Sequence, residues 1–151
     1  MDEKMRNDVG FMHVYTLRVR YSETDKMGIV YNGSYFEWFE VARTEYCRKF
    51  GKTYRGWEAQ GYFLPVVEAH CHYRYPATYD DDVMLYCKAP RDHMKPSSLL
   101  FEYQIMIDCD TVLADGWTKH AFVNAEGKVY RKDNKFHEWL LAEILKLSAA
   151  Q

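Results

Sequence analysis

An acidic side chain stands just ahead of the strongest helix pattern in this sequence. Asp25 follows a run of alternating residues and precedes a turn at Gly28, and a strongly amphipathic aromatic segment begins at Ser34. The start of a helix carries unpaired amides and a positive dipole end, which favour negative charge. A carboxylate beside such amides suits chemistry on a carbonyl group, because one group attacks and the other holds the developing charge. From spacing alone, the alternative is a solvated turn carboxylate beside Glu23 and Lys26.

The segment from Ser34 to Phe50 has helical periodicity and must position that chemistry. Ser34 and Glu37 are spaced as a capping box, and Gly51 is placed to end the helix in the left-handed conformation. The width of the apolar stripe predicts that this helix packs against a sheet. The stripe consists of Tyr35, Trp38, Phe39, Ala42 and Tyr46.

The rest of the chain predicts several strands and a closing helix. Residues 13–21 alternate, with Tyr15, Leu17, Val19 and Tyr21 on one side, which is typical of a half-buried strand. Regular alternation of strands and helices is missing, so an α+β architecture with a mostly antiparallel sheet fits better than a doubly wound sheet. Further strands are predicted at 63–75, 83–89, 98–107 and 111–124, and further helical segments at 54–60 and 134–147.

Length and composition indicate one globular domain. We expect a loose leader over residues 1–12 and a single domain over residues 13–151. The net charge of −2 gives no reason to expect nucleic acid as a partner. The 17% share of aromatic residues makes a homo-oligomer plausible.

Localisation is predicted from what the sequence lacks. The polar N-terminus has no apolar signal-peptide core, and no apolar run is long enough to span a bilayer. The four cysteines are widely spaced and form no CxxC pair, so we expect reduced, mostly buried thiols. These observations predict a cytoplasmic protein without membrane insertion.

Two motifs carry a resemblance to a known family. The first motif runs from Glu23 through Asp25 and Gly28 to Tyr31 and continues into the helix residues 35–43. The second has Tyr73, Pro76-Ala77, Tyr79 and Asp81. In order and at this separation they resemble the hotdog-fold thioesterases of the 4-hydroxybenzoyl-CoA type and their acyl-CoA relatives associated with the Tol-Pal system. The resemblance covers roughly residues 13–130, and the two motifs together are fairly specific.

The resemblance implies a mechanism and a fold. Asp25 aligns with the family's catalytic carboxylate and would attack the thioester carbonyl or activate a water that does so. The main-chain amide of Asn32, with that of Gly33 as its neighbour, would polarise the carbonyl oxygen, and Tyr31 would contact substrate. A hotdog fold would wrap an antiparallel sheet of about five strands around the long helix. Family members form dimers or tetramers with the pocket at the subunit interface, and they need no metal or redox cofactor.

The sequence departs from the family pattern at two positions. Many relatives have His where this chain has Asn32, and many have Asn where it has Ser34. An amide side chain cannot act as a general acid or base, so Asp25 would work without an imidazole at that place. We expect these changes to alter substrate preference more than the type of reaction.

A charged turn is the candidate contact for coenzyme A. The corresponding turn in the family carries basic residues that meet the phosphates, which implicates Arg91 and Lys95, with Ser97 or Ser98 as hydrogen-bond donors. A solvated charged turn without a ligand is the alternative.

The polar residues Glu68, His70 and His72 share one face of a predicted strand. Glu68 is a candidate for lining the acyl pocket, although a solvated or interface face is the more common role for such residues. The two histidines have the spacing of metal ligands, but no third ligand is indicated, so metal binding is not expected.

The sequence therefore favours a thioesterase that hydrolyses an acyl-CoA or aryl-CoA to a carboxylic acid and free coenzyme A. A thioesterase acting on acyl carrier protein and a non-catalytic hotdog module that binds acyl-CoA are the alternatives, since a fold does not fix a function. The acyl group is not indicated by the sequence.

Overall fold

Residues 10–149 form one five-stranded antiparallel sheet, one long helix packed against it, and two further α-helices. The computed structural model describes residues 10–149. In chain order the elements are β1 (Met12–Arg18), α1 (Ser34–Lys49), α2 (Tyr54–Ala59), β2 (Val66–Tyr73), β3 (Asp82–Lys88), β4 (Ser98–Ile107), β5 (Thr111–Ala121) and α3 (Lys135–Ala149).

The order of strands across the sheet is β1-β3-β4-β5-β2, and every neighbouring pair is antiparallel. The predicted α+β architecture with about five strands is therefore confirmed. β1 and β2 form the two edges of the sheet. β4 has the predicted bounds and β3 is shifted by one residue, whereas β1, β2 and β5 are shorter than predicted. Phe63 and Val123, which the predicted strands included, are joined only by an isolated bridge.

Helix α1 has 16 residues and buries its aromatic stripe against the sheet. Trp38, Phe39 and Ala42 are all buried, as the periodicity predicts. The ring of Phe39 stacks on that of Tyr103 in β4, with 4.3 Å between centroids and 7° between planes. Gly116 in β5 leaves the room for this stack, since a Cβ there would lie 2.8 Å from the Phe39 ring.

The two ends of α1 differ from each other in how well the sequence predicted them. Gly51 follows the helix with a φ of +97°, so the predicted left-handed ending is confirmed. The predicted capping box is wrong, because Gly33 is the N-cap and Ser34 already belongs to the helix. The Ser34 hydroxyl is buried and donates instead to the carbonyl oxygen of Glu23, at 3.3 Å.

Strand β1 contains a bulge between His13 and Tyr15, which changes the side that faces the core. Val14 is buried, whereas Tyr15 is exposed. Tyr15 and Leu17 keep their predicted common side, since they pair with buried Leu85 and Val83, whereas the bulge brings Val14 from the predicted opposite side into the core. The strand ends at Arg18, and a 3₁₀ turn follows at Tyr21–Glu23.

The predicted leader lies mostly outside the described residues, since it covers residues 1–12 and the description begins at residue 10. Of the four free cysteines, Cys47 and Cys87 are buried, Cys71 is partly buried and Cys109 is exposed. Within residues 10–149 no helix is long and apolar enough to cross a membrane.

Candidate active site

A buried carboxylate fastens the loop ahead of α1 to the helix. Glu23 accepts hydrogen bonds from the Arg20 amide at 2.8 Å and from the Trp38 indole at 2.7 Å. Its main-chain carbonyl accepts from the Tyr31 amide at 2.8 Å, besides the Ser34 hydroxyl. One residue therefore holds both ends of the loop from Thr24 to Gly33.

The environment of Glu23 keeps it ionised. Burial opposes the charged form, but the hydrogen bonds from the Arg20 amide, the Trp38 indole and the Arg20 side chain outweigh it, so the pKa of Glu23 lies below its ordinary value. A buried carboxylate with this many donors is a structural group, and its oxygens are not available to a substrate.

Asp25 has the opposite character, although it lies only two residues further along. The loop closes on itself through the Asp25 amide, which donates to the Ile29 carbonyl at 2.8 Å, and the Gly28 amide, which donates to the Asp25 carbonyl at 3.0 Å. One carboxylate oxygen of Asp25 accepts from the Met27 amide at 2.8 Å. Within residues 10–149 the other oxygen has no hydrogen-bond partner, and the side chain is partly exposed.

Gly28 makes this tight loop possible. Its φ of +81° lies in the left-handed region, where a side chain would be strained. The loop therefore presents the Asp25 carboxylate in a defined place, which a flexible turn could not do.

The first amides of the helical turn are open. The Ser34 amide donates to the Tyr31 carbonyl at 3.0 Å and closes the turn. In the described part of the chain, the main-chain amides of Asn32 and Gly33 donate to no acceptor. Two unpaired amides at the start of a 16-residue helix can stabilise an oxyanion.

Tyr31 lies against the same turn. Its side chain is exposed, and its ring covers the Cα of Gly33 so closely that a Cβ on Gly33 would lie 2.7 Å from the ring. Tyr31 thus borders the open amides, as a substrate-contacting residue would.

The second sequence motif packs directly on the first. The Val30 amide donates to the Ala77 carbonyl at 2.9 Å. The hydroxyl of Tyr73, at the end of β2, donates to the Asn32 carbonyl at 2.8 Å. The ring of Tyr73 also meets that of Tyr35 edge to face, with 5.2 Å between centroids. The two motifs therefore contact each other and form one site.

A groove of about 370 Å³ lies where these segments meet. Asp25 and Asn32 border it, together with the Tyr73 side chain. Most of the remaining wall is apolar, which suits an acyl group rather than a strongly charged one. Its other lining residues are Met27, Ile29, Val30, Tyr35, Arg74, Tyr75 and Pro76.

The candidate coenzyme A turn lies elsewhere in the chain and does not line this groove. Arg91 and Lys95 are exposed, and Ser97 and Ser98 are partly buried. Arg91 instead borders a separate cavity of about 620 Å³ between the start of β1, the end of β3 and α3. The turn is firmly held, because buried Asn134 donates to the Pro96 carbonyl at 2.9 Å.

Glu68, His70 and His72 lie on the face of β2 that points away from α1. They pair with Lys119, Trp117 and Asp115 of β5, and all three are exposed. The structure does not bring Glu68 to the groove beside Asp25. Among residues 10–149, no group of three or more His, Cys, Asp or Glu side chains is placed to hold a metal ion.

Comparison with known proteins identifies the family of this fold and groove. The model of the Thioesterase-like superfamily matches residues 19–144, which include both motifs. The chain belongs to the Thioesterase-like superfamily. The predicted hotdog fold and the predicted class of enzyme, a thioester hydrolase, are thereby confirmed.

Individual members of the superfamily resemble the chain over most of its length. The acyl-CoA thioesterase YbgC of Haemophilus influenzae is 34% identical over 100 residues, which are 66% of this chain and 71% of that protein. The structure of the protein TT1821 from Thermus thermophilus has a TM-score of 0.80 and 30% identity, and the match covers 87% of this chain and 98% of that one. The DHNA-CoA thioesterase from Staphylococcus aureus has a TM-score of 0.79 and 28% identity over 90% and 92% of the two chains.

Two residues of this thioesterase-like site were missed by the sequence analysis. Glu23 was taken only as a neighbour of Asp25 and the first residue of a motif, and Tyr73 only as part of the second motif. A signal for Tyr73 was available, because a tyrosine hydroxyl at a strand end shortly before Pro76 and Ala77 is a possible donor to a facing turn. The signal for Glu23 was absent, because its partner Trp38 is 15 residues away.

Proposed function

We propose that this chain hydrolyses an acyl-CoA or aryl-CoA thioester to a carboxylic acid and free coenzyme A in the groove beside Asp25. The observation that carries the proposal is the pairing of a partly exposed carboxylate with unpaired helix-start amides at Asn32 and Gly33. The names of the relatives support coenzyme A as the thiol, since the Haemophilus protein is called an acyl-CoA thioesterase and the Staphylococcus protein a DHNA-CoA thioesterase.

Two routes are open to Asp25 in this proposal. As a general base, its free oxygen takes a proton from water while the water oxygen attacks the thioester carbon. The tetrahedral adduct then breaks its C–S bond and releases the acid and the thiolate, which takes up the proton. As a nucleophile, it forms a mixed anhydride with the acyl group and expels the thiolate, and water then cleaves the anhydride. In both routes the amides hold the carbonyl oxygen as it becomes negative. Turnover in ¹⁸O-labelled water distinguishes them, because attack of water on the Asp25 carbonyl of the anhydride would leave label in the Asp25 peptide.

A panel of acyl-CoA thioesters with detection of the released thiol tests the proposed activity. We expect the wild type to turn over at least one short, long or aryl acyl-CoA. Asp25→Asn keeps the shape of the side chain but removes its charge, and we expect kcat to fall about 100-fold or more with a smaller change in KM. The same panel includes acyl carrier protein thioesters.

The outcomes separate the alternatives. Turnover only of acyl carrier protein thioesters would show that acyl carrier protein, and not coenzyme A, carries the substrate. Tight binding of acyl-CoA without any turnover would indicate a binding module. Near-normal turnover by Asp25→Asn would refute the proposed role of the carboxylate.

A homodimer or larger oligomer completes the proposal. β2 is an edge strand without Lys or Pro, and Val66 and Val67 are exposed on it. Such an edge can pair with a second copy, whereas monomeric proteins usually protect their edges. The end of β2 also borders the groove through Tyr73. Light scattering at micromolar concentration checks the assembly, and a stable monomer would contradict it.

The oligomer accounts for the distance between the groove and the turn that carries Arg91, Lys95, Ser97 and Ser98. We place the turn of one copy at the groove of another, where its cations would meet the phosphates of coenzyme A. Mixing Asp25→Asn chains with Arg91→Ala/Lys95→Ala chains tests this arrangement. Because one site of each mixed dimer would then carry neither change, kcat/KM for acyl-CoA should recover upon mixing. If both contributions come from the same chain, mixing restores nothing.

A further inference from the structure

We infer that Tyr73 is a positioning residue for the oxyanion donor: its hydroxyl orients the Asn32–Gly33 peptide so that the Gly33 N–H faces the reacting carbonyl oxygen. This inference rests on the proposed function. It assigns a role to a side chain on β2 that approaches the helix start from 41 residues away in the sequence.

The geometry of one peptide group carries the argument. The Tyr73 hydroxyl donates to the Asn32 carbonyl oxygen at 2.8 Å. A trans peptide is planar, so its N–H points opposite to its C=O. Fixing the Asn32 carbonyl from one side therefore fixes the direction of the Gly33 N–H on the other side. Within residues 10–149 that N–H has no other partner to orient it.

The hydrogen bond also changes the strength of the donor. Withdrawing electron density from a peptide carbonyl makes the N–H of the same peptide more acidic, and chained hydrogen bonds strengthen one another by roughly 10–30%. An oxyanion donor gains from this effect because the charge it meets develops only during the reaction.

Tyr73 is suited to remain a donor. Its ring is held edge to face against buried Tyr35. Burial of the hydroxyl, together with the neighbouring Cys71 thiol, raises the pKa of Tyr73 to about 12, so the hydroxyl stays protonated in the ordinary pH range. Tyr15, in β1, is 45% exposed and does not line the groove, and in the described part of the chain its hydroxyl has no partner.

The test compares Tyr73→Phe with the matched control Tyr15→Phe. We expect Tyr73→Phe to lower kcat about 10-fold with little change in KM, which is less than the loss of a direct oxyanion donor. Tyr15→Phe should keep the wild-type kcat. Unchanged kcat in Tyr73→Phe, while Asp25→Asn abolishes turnover, would overturn this inference and leave the proposed function intact. A wild type without thioesterase activity would instead refute the proposed function.

Binding of two unreactive ligands separates orientation from mere packing. A trifluoromethyl ketone analogue of acyl-CoA imitates the tetrahedral adduct, whereas an alkyl-CoA thioether has no carbonyl oxygen. Tyr73→Phe should weaken the ketone about 10-fold and leave the thioether unchanged. Equal weakening of both ligands would show a structural role and overturn the inference.

A second variant covers the case in which Tyr73→Phe does not fold. Incorporation of 3-fluorotyrosine at position 73 keeps the ring and the hydroxyl and makes the hydroxyl a stronger donor. Below the pKa of the fluorophenol, we expect kcat to equal or exceed that of the wild type. A lower kcat in this correctly folded variant would contradict the proposed role of the hydroxyl.

Discussion

The loop from Thr24 to Gly33 and the turn from Pro90 to Ser98 are both candidate contacts for substrate, but they are built differently. The loop is tied by main-chain hydrogen bonds to itself, to Glu23 and to Ala77. It offers one carboxylate and two amides in fixed places. The turn is anchored through the Pro96 carbonyl, while its two cationic side chains extend into solvent.

The difference follows from what each contact would do. Bond making depends on fixed geometry, since a displacement of about 1 Å can cost 100-fold in rate. Recognition of a phosphate by exposed cations works through charge in water and tolerates mobile side chains. We therefore expect changes in the loop to alter kcat or stability and changes in the turn to alter KM.

The largest effect on stability is expected at Glu23. Glu23→Gln keeps the size of the side chain but removes the charge that accepts from Arg20 and Trp38. Because hydrogen bonds to a buried charged group are strong, we expect the free energy of unfolding to fall by about 2 kcal/mol. Urea denaturation measures this change.

Asp25→Asn is the matched control for that experiment, since it makes the same chemical change two residues away. We expect it to alter the free energy of unfolding by no more than about 0.5 kcal/mol, as is usual for exposed positions. If Asp25→Asn destabilised the protein more than Glu23→Gln, the division between a structural and a chemical carboxylate would be wrong.

The pH dependence of stability should reveal the same hydrogen bonds to the Glu23 carboxylate. The pKa of Glu23 is lower in the fold than its ordinary value of about 4.3 in an unfolded chain. Its stabilisation is therefore complete above the unfolded pKa and is lost as the pH falls through the folded pKa. The stability difference between wild type and Glu23→Gln should stay constant above about pH 5.5 and shrink below about pH 4.3.

A second buried group also makes the protein less stable in acid, and its contribution must be distinguished from that of Glu23. Burial lowers the pKa of His120 to about 4. The fold favours the neutral form of His120. The free energy of unfolding therefore falls as the pH drops below about 6.5, the ordinary pKa of histidine. Because His120 is present in both proteins, its contribution cancels in the difference. A difference that does not change with pH would contradict the role of the Glu23 charge.

A smaller effect is expected in the turn. Arg91→Ala/Lys95→Ala should raise KM for acyl-CoA about 10-fold and leave kcat unchanged, because it would remove the two proposed phosphate contacts, of about 0.7 kcal/mol each. Acyl-pantetheine lacks the nucleotide and should show no change. Lys128→Ala, in another exposed turn, is the control for a general loss of charge. An unchanged KM for acyl-CoA would remove this turn from the proposed site.

The sequence predicted those features that depend on neighbouring residues. The stripe of α1 follows from periodicity, and its ending follows from the conformational freedom of Gly51. Asp25 was singled out because a strand, a glycine turn and a helix follow one another locally. The capping box failed for a tertiary reason, since the Ser34 hydroxyl finds a better partner in the Glu23 carbonyl.

The features that escaped prediction involve contacts between distant residues. Tyr73 reaches the Asn32 carbonyl across 41 residues, and Trp38 reaches Glu23 across 15. Periodicity places a residue on a face but does not say which atom it meets there. The bulge in β1 escaped for another reason, because alternation of Tyr15 and Leu17 looks the same whether or not an extra residue interrupts the pairing.

The smallest effect is expected from Asn32→Ala. The position matters in this proposal through its main-chain amide, which Ala retains, and through its carbonyl, which still accepts from Tyr73. The Asn32 side chain makes no hydrogen bond within residues 10–149. We therefore expect kcat and KM to change less than about twofold, as at an exposed position without contacts.

Asn32→Pro is the matched variant that removes the N–H itself. Asn32 precedes the N-cap Gly33, and within residues 10–149 its amide donates to no acceptor, so proline removes no main-chain hydrogen bond there and the fold should survive the change. The loss of one oxyanion donor should then lower kcat by about 100-fold. If Asn32→Ala were as damaging as Asn32→Pro, the side-chain amide of Asn32 would be the functional group. The fixed loop would then contribute two side chains to the reaction, those of Asp25 and Asn32, whereas the turn would still contribute only to binding.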